Sequence, residues 1–177
     1  MLAGSPRAPR VVDRRTIVLS DASVPTSRQP YHAVMGARTG EASKVERRLR
    51  GIVQRVTRRS LTALLREYRR TRRIRGVALV VGSTIDPATI GNDHIRAHAL
   101  EGQLFRTALE GAARADRLPC TTHVERALYD TAAARLKRPA TAIKGVVAEL
   151  GRAVDGPWRA DEKAATVAAW LMLRSVH

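Results

Sequence analysis

The sequence has few cysteines, few aromatic residues and no long apolar run. Cys120 is the only cysteine among 177 residues, which excludes a disulfide framework and a cysteine-based zinc site and favours a reducing compartment. One Phe, two Trp and three Tyr leave little material for stacking bases on an aromatic platform. No segment approaches the roughly 18 apolar residues of a membrane span, and the N-terminus lacks the apolar core of a secretory signal. We therefore expect a cytoplasmic protein.

Three motifs that indicate common enzyme classes are also missing. The sequence contains no G-x-x-x-x-G-K-[ST] loop, no G-x-G-x-x-G turn and no G-x-S-x-G elbow. Nucleotide hydrolysis by a P-loop, dinucleotide binding and serine hydrolysis therefore have no support in the sequence.

Acidic residues are scarce relative to basic ones. Lys and Arg number 32 against 16 Asp and Glu, which gives a net charge of +16, and most of the cations are Arg. Guanidinium groups bind phosphate oxygens in pairs. The base composition of the source genome can raise the Arg content but does not explain the deficit of acids, and such a chain binds nucleic acid even without sequence specificity. We expect a nucleic-acid partner, DNA before RNA, and no membrane partner.

Hydrophobic patterning predicts an α/β protein with one domain. Residues 1–15, rich in Pro and Arg, are predicted to be a disordered basic arm, and residues 16–177 a single domain. An S-x-x-E capping box at Ser43 and Glu46 is expected to open the longest helix. Strands are predicted at 16–20, 31–37, 77–81 and 119–124, and helices at 43–73, 92–115, 125–136, 141–154 and 161–174. The apolar run 77–81 is typical of a strand that helices cover on both faces.

The longest predicted helix has a strongly basic polar face. Few acids balance its arginines, and like charges this close repel one another, which favours an anionic ligand. Contacts of this type hold the phosphate backbone without reading sequence. The face consists of Arg47, Arg48, Arg50, Arg55, Arg58, Arg59, Arg66, Arg69, Arg70, Arg72 and Arg73. Arg96 of the next helix is a further predicted contact.

Two histidines and a glutamate share one face of the second predicted helix. His94, His98 and Glu101 are spaced at i, i+4 and i+7. Histidines at i and i+4 are a zinc-binding pair in some proteins, but the H-E-x-x-H glutamate and a Cys ligand are missing. We expect a polar stripe facing a phosphate groove in preference to zinc, with His98 as a candidate proton shuttle.

The order of elements and several segments resemble the RNase H-like superfamily, and within it the RuvC-type Holliday-junction resolvases. The similar segments are Glu101-Gly-Gln-Leu-Phe-Arg, Leu118-Pro-Cys, Ala132-Ala-Ala-Arg-Leu, Ile143-Lys-Gly-Val-Val and Arg159-Ala-Asp-Glu-Lys-Ala-Ala-Thr-Val-Ala-Ala-Trp. The resemblance implies an RNase H-like mixed sheet flanked by helices. It also implies a homodimer and two Mg²⁺ ions, held by carboxylates, that activate water against a phosphodiester.

Carried over by position, the resemblance implies a site built from three acids. Asp21 corresponds to the carboxylate that ends the first strand, and Asp161, with or without Glu162, to the one that opens the last helix. The central strand departs from the family, because Gly82-Ser83 stands where the family has Glu. Glu101 or Asp86 then supplies the third ligand, or the metals have been lost.

A second departure from the family lies in the last helix. Two of the predicted carboxylate ligands also have simpler structural interpretations. Ala164 and Ala165 stand where the family has a second acid one turn into that helix. Asp21 also fits an Asx turn, and Asp161 a helix cap.

Together these features indicate a nucleic-acid-binding protein, with a Mg²⁺-dependent, structure-selective endonuclease as the first hypothesis. Its candidate catalytic residues are Asp21, Glu101, Asp161 and His98, and the first three are the candidate metal ligands. The alternatives are a non-catalytic DNA- or RNA-binding protein on a degenerate RNase H-like fold and a basic subunit of a ribonucleoprotein assembly.

Overall fold

A computed structural model describes residues 1–174 and confirms the predicted α/β class. Over that range the chain has five α-helices and two separate two-stranded sheets. Contacts group it into two compact units. The sheet unit comprises residues 1–16, 75–82 and the segment from Leu118 onward, and the helical unit comprises residues 17–74 and 83–117. The last three residues of the predicted domain 16–177 lie outside the described residues.

The helical unit is built on two long helices. Helix α1 is Thr39–Arg69 and helix α2 is Asp93–Ala115. Helix α1 begins before the predicted capping box, so Ser43 and Glu46 lie inside it. Asn92 caps α2, because its side chain accepts a 3.0 Å hydrogen bond from the amide of Ile95. The buried apolar residues of α1 fall on one side of the helix: Leu49, Ile52, Val53, Val56, Leu61 and Leu65.

The two strands predicted before α1 were wrong. Residues 16–20 form no strand, and the segment 31–37 contains the short 3-10 helix His32–Val34. Its backbone bonds are local, for example from the amide of Ala33 to the carbonyl of Gln29 at 3.0 Å. An apolar alternation of only seven residues is a weak signal for a strand. Here the turns satisfy the backbone, and the carbonyl of Leu19 accepts instead from the Thr57 hydroxyl of α1 at 3.5 Å.

The sheet unit packs three helices with a pair of parallel strands. Strand β3 (Val77–Val81) and strand β4 (Cys120–Val124) pair in parallel, with Val77 opposite Cys120 and Val81 opposite Val124. Helices α3 (Leu128–Leu136), α4 (Ala140–Arg152) and α5 (Ala160–Arg174) follow. The core includes Leu128, Ile143, Val147 and Trp170, each at most 1% exposed. The boundaries predicted for β3, β4 and these helices are confirmed to within a few residues.

The N-terminal arm is ordered, contrary to the prediction of disorder. Strand β1 (Leu2–Gly4) and strand β2 (Pro9–Val11) form an antiparallel hairpin. The indole of Trp170 donates a 2.9 Å hydrogen bond to the carbonyl of Pro6 in the turn. Composition rich in Pro and Arg suggested disorder, but contacts with α5, distant in sequence, hold the arm.

The predicted mixed sheet is not present among the described residues, which form one parallel pair and one separate hairpin. All five residues of β3 are half-buried, so the strand is not covered on both faces as predicted. Both strands of a two-stranded sheet are edge strands, which leaves part of each open. Of the described helices, none has both the length and the apolar character needed to cross a bilayer.

Two glycines of α4 give a matched test of the packing in the sheet unit. A Cβ atom at Gly151 would meet the ring of Trp158 at 2.3 Å, whereas one at Gly145 meets nothing within 4 Å. The same ring donates a 2.9 Å hydrogen bond to the carbonyl of Val147. We expect Gly151→Ala to lower the free energy of unfolding by about 1–3 kcal/mol through overpacking. Gly145→Ala should raise it by roughly 0.5–1 kcal/mol through helix propensity.

Urea unfolding followed by tryptophan fluorescence measures both changes, because both tryptophans of the chain, Trp158 and Trp170, belong to the sheet unit. Equal shifts of the same sign for the two variants would contradict the described contact between Gly151 and Trp158.

Candidate nucleic-acid interface and histidine cluster

The polar face of α1 is an exposed array of arginines. Helix α1 carries eight Arg and one Lys against three Glu. All eleven arginines predicted for this face, from Arg47 to Arg73, are exposed. Eight of them lie on α1, whose apolar positions occupy the opposite side of the helix. Arg70, Arg72 and Arg73 follow the end of α1 at Arg69, four residues before the predicted end of the helix. The structure thus confirms that these side chains face solvent, which is the first requirement for contact with a polyanion.

Four of these arginines line an open groove in the helical unit. Arg55, Arg58, Arg59 and Arg66 surround a volume of about 550 Å³, together with Thr62, Ala63, Ala115 and Asp116. Within the described part of the chain, no acidic side chain forms an ion pair with any of the four. Four unpaired guanidinium groups around one groove produce a strongly positive potential there. This groove is the arginine groove.

Asp116 fixes one edge of the arginine groove. Its carboxylate accepts hydrogen bonds from the Thr62 hydroxyl at 2.7 Å and from Arg69 at 3.0 Å. The Thr62 bond, followed by the Arg69 guanidinium, lowers the pKa of Asp116, so the carboxylate is ionised at neutral pH. Arg69 also donates to the Asp116 carbonyl at 2.8 Å. Arg69 therefore braces α1 against the end of α2 and is less available to a ligand than predicted.

Arg96, the predicted contact on α2, is also engaged within the protein. Its guanidinium donates a 3.0 Å hydrogen bond to the carbonyl of Ile90 and pairs with Asp93. The side chain is half-buried and holds the loop before α2. The arginines that remain open to a ligand are therefore concentrated on α1.

Asp21, the first predicted metal ligand, lies beside two arginines of α1. Its carboxylate accepts from the amide of Ser23 at 2.9 Å and from the Ser23 hydroxyl at 2.7 Å, which is an Asx turn. These bonds, the hydroxyl first, lower the pKa of Asp21. With Arg55, Arg59, Ile52 and Val56 it lines a smaller groove of about 290 Å³. Asp21 is thus an ionised carboxylate within a basic surface.

Asp161, Glu162 and Asp86 have separate surroundings. Asp161 is exposed in the first turn of α5, in the sheet unit. Glu162 accepts from the amide of Arg159 and from the Arg14 side chain, both at 2.9 Å, and the bond to Arg159 is the main cause of its lowered pKa. Asp86 accepts from the amide of Ala88 at 3.0 Å. Among residues 1–174, none of these acids belongs to a group of three or more His, Cys, Asp or Glu side chains able to hold a metal.

Three histidines in the helical unit do form a group that could hold a metal ion. His32, from the 3-10 helix His32–Val34, meets His94 and His98 of α2, and one ligand atom from each lies within 4.8 Å of the others. The Nε2 atoms of His94 and His98 are 3.2 Å apart. Glu101, the third predicted carboxylate, is buried and binds His32: its Oε1 is 2.8 Å from His32 Nδ1 and accepts from the His32 amide at 3.3 Å. We call these four residues the histidine cluster.

Sequence reasoning identified three members of the histidine cluster and missed His32. The spacing of His94, His98 and Glu101 is visible because one helix carries all three. His32 lies more than sixty residues earlier, in a segment that patterning assigns to a strand, and no local signal relates it to α2.

Comparison of the chain with protein-family models, with curated proteins and with solved structures found no match. Function is therefore inferred from the chemistry of the chain's own residues.

The ionised state of Asp116 gives a pH-dependent stability. Its pKa in the folded protein lies below the unfolded value of about 3.9, so the stabilisation is present above that pH and is lost as pH falls through the folded pKa. We expect Asp116→Asn to lower the free energy of unfolding by about 1–3 kcal/mol at neutral pH. The difference from the native chain should shrink below about pH 4.

Urea titrations at several pH values, followed by far-UV circular dichroism, measure this difference. Asp155→Asn, an equal charge change at an exposed residue, is the control and should have little effect. A difference between native chain and Asp116→Asn that stays constant down to pH values well below 4 would contradict the ion pair and hydrogen bond described for Asp116.

Proposed function

We propose that this protein binds the phosphate backbone of nucleic acid, DNA in particular, through the arginine face of α1. The observation that carries the proposal is the arginine groove, where four exposed guanidinium groups form no ion pair within the described part of the chain. Guanidinium groups pair with phosphate oxygens through parallel hydrogen bonds. A bound phosphate therefore relieves the repulsion among these side chains.

The placement of the arginines on a helix makes the surface rigid. Arg55, Arg58, Arg59 and Arg66 recur on one side of α1, whose turns rise about 5.4 Å each. Their backbone is fixed by the apolar residues of α1 that face the core, so the cations form a preorganised row. A row of this kind follows a nucleic-acid strand and contacts its phosphates irrespective of base sequence.

Selectivity for nucleic-acid shape is expected in preference to base recognition. The chain has only six aromatic residues, and those in the helical unit do not line the arginine groove. Stacking on single-stranded bases therefore contributes little. A duplex or a branched structure, which presents phosphates at fixed spacings, suits a rigid row of cations better than a flexible strand does.

The second candidate function is a Mg²⁺-dependent, structure-selective endonuclease with an RNase H-like fold and a homodimeric state, as the resemblance to RuvC-type resolvases implies. Asp21 is the observation that favours it, because an ionised carboxylate lines the same groove as Arg55 and Arg59. Carboxylate oxygens are preferred ligands of Mg²⁺, which bridges to phosphate in nucleases. The resemblance implies Asp21, Glu101 and Asp161 as ligands, with His98 as proton shuttle.

Removing two cations from the arginine groove should weaken binding and reduce its salt dependence. For Arg58→Gln with Arg59→Gln, the slope of log K against log salt concentration should fall by about 2, because each lost phosphate contact removes about 0.9. The loss of affinity should be similar for duplexes of unrelated sequence. Fluorescence anisotropy of labelled duplexes over a range of salt concentrations measures both quantities.

The matched control is Arg126→Gln with Arg152→Gln, two exposed arginines of the sheet unit that change the net charge by the same amount. The control variant should retain most of the salt slope. If the two double variants weaken binding equally, net charge alone governs affinity and the arginine groove is not the interface.

Cleavage of a labelled four-way DNA junction tests the second candidate. The native chain, Asp21→Asn and Asp161→Asn are each incubated with the junction and with its linear duplex, in Mg²⁺ and in chelator. If the chain is such a nuclease, it cuts the junction only with Mg²⁺, and each variant loses at least about 100-fold in rate because one metal ligand is gone. Tight, salt-sensitive binding without cleavage would rule out the endonuclease and leave binding of the phosphate backbone as the function.

A further inference from the structure

We propose that His32, His94 and His98 form a binding site for a zinc-type divalent metal ion, with Glu101 as the residue that orients His32. None of the three histidines lines the arginine groove. The site shares Glu101 and His98 with the Mg²⁺ hypothesis but assigns them a different metal and different roles, so it goes beyond the proposed function. Three imidazoles from two elements of the helical unit converge here. Imidazole is the ligand that zinc and its neighbours among the transition metals share, whereas Mg²⁺ prefers oxygen.

The separation of the nitrogen atoms matches the size of a tetrahedral site. Zn–N bonds of about 2.0–2.1 Å at a tetrahedral angle place two ligand nitrogens roughly 3.3 Å apart. His94 Nε2 and His98 Nε2 are 3.2 Å apart, and the ligand atoms of all three residues lie within 4.8 Å of one another. The ring centres of His32 lie 4.8 Å from His94 and 4.3 Å from His98. Small rotations of the side chains suffice to bring three nitrogens onto one ion.

Glu101 supplies the hydrogen bond that zinc-binding histidines ordinarily make on the side away from the metal. A carboxylate only accepts, so its 2.8 Å contact makes His32 Nδ1 the donor and leaves the lone pair of the neutral ring on Nε2. A contact of this kind fixes the tautomer and the orientation of a metal-binding imidazole. The other oxygen of Glu101 lies 3.9 Å from Nδ1 of His98, so one buried carboxylate is close to two of the three rings.

The remaining nitrogen of His32 lacks a hydrogen-bond partner. His32 Nε2 is buried and bonds to no atom of residues 1–174. Buried polar atoms in folded proteins are nearly always paired, and an unpaired one requires an explanation. A metal ion held with His94 and His98 satisfies this lone pair, and this atom is the second, independent observation in favour of the site.

The arrangement is that of an open metal site. His94 and His98 lie at i and i+4 in the first turns of α2, and both are exposed, so an ion reaches them from solvent. Three protein ligands leave the fourth tetrahedral position to water or to an anionic ligand, as in catalytic zinc sites and unlike closed structural ones. The site therefore takes a zinc-type ion together with one exchangeable ligand.

Isothermal titration of the metal-stripped, untagged full-length chain with Zn²⁺ tests the site. We expect one ion per chain for the native protein. His94→Gln and His98→Gln, two exposed changes on a stable helix, and His32→Gln should each weaken binding by at least about 100-fold through loss of a ligand. Glu101→Gln should weaken it by about 10–100-fold, the usual effect of removing the group that orients a metal-bound histidine.

His123→Gln is the matched control, because His123 lies in β4 of the sheet unit, away from the cluster. It should bind Zn²⁺ as the native chain does. Co²⁺ gives an independent readout, since the native chain and His123→Gln should show the intense visible bands of tetrahedral Co²⁺, and His94→Gln should not. Native binding retained in His94→Gln and His98→Gln, equal losses in His123→Gln, or no Zn²⁺ bound by the native chain would each overturn the proposal.

Discussion

The burial of one strip of α1 is the constraint on which the rest of the helical unit depends. Val53 is fully buried and packs against Leu104 and Ala108 of α2, while Leu49, Ile52 and Val56 form an adjoining cluster with Val24. With 3.6 residues per turn, a helix fixed by these positions must turn its other side to solvent. The arginines stand on that side, so the packing that stabilises α1 also exposes its charge.

Because folding fixes the arginine face of α1, this protein differs from those that carry their basic residues on flexible tails. A tail neutralises phosphates but loses conformational entropy when it binds, whereas the arginine groove has a backbone that folding has already ordered. Few acids interrupt it. Asp116 at its edge and Asp21 in the smaller neighbouring groove are both held ionised, by hydrogen bonds from Thr62 and Ser23. Such a surface keeps its cations separated by fixed distances, which suits the repeat of a nucleic-acid backbone.

Helix α2 has a role that follows from the same packing. Its buried side includes Leu104 and Ala108, which contact α1, and its first two turns carry His94 and His98. Glu101 is buried between these regions, where an unpaired carboxylate would be strongly destabilising. The amide and ring of His32 provide its partners. The loop before α1 is thereby tied to α2, and the histidine cluster is assembled as a consequence.

The helices and strands that an apolar run or a helical period marks were predicted correctly from the sequence. The apolar run 77–81 and the periodicity of α1 each predicted a correct element, and the periodicity also predicted the arginine face of α1. The strands predicted before α1 were wrong, because turns satisfy the backbone groups around His32 locally. Tertiary contacts were out of reach for the same reason: Trp170 to Pro6 and Glu101 to His32 join residues far apart in the chain.

In the candidate site too, the sequence predicts what helix geometry decides and not what tertiary contacts decide. Exposure of the eight arginines on α1 follows from helix geometry and was predictable, whereas the engagement of Arg69 by Asp116 and of Arg96 by Asp93 and Ile90 was not. These two arginines had the correct residue type on the correct helices. Their use within the protein depends on which groups the fold brings to them, and only three-dimensional contacts reveal that.

The most direct measurement of the central claim is modification of arginines by a dicarbonyl reagent, with and without duplex DNA, read residue by residue by mass spectrometry. Binding through the arginine face of α1 predicts that Arg55, Arg58, Arg59 and Arg66 become protected by DNA while Arg126 and Arg152 of the sheet unit stay reactive. Equal protection of all six, or protection confined to Arg126 and Arg152, would contradict the account.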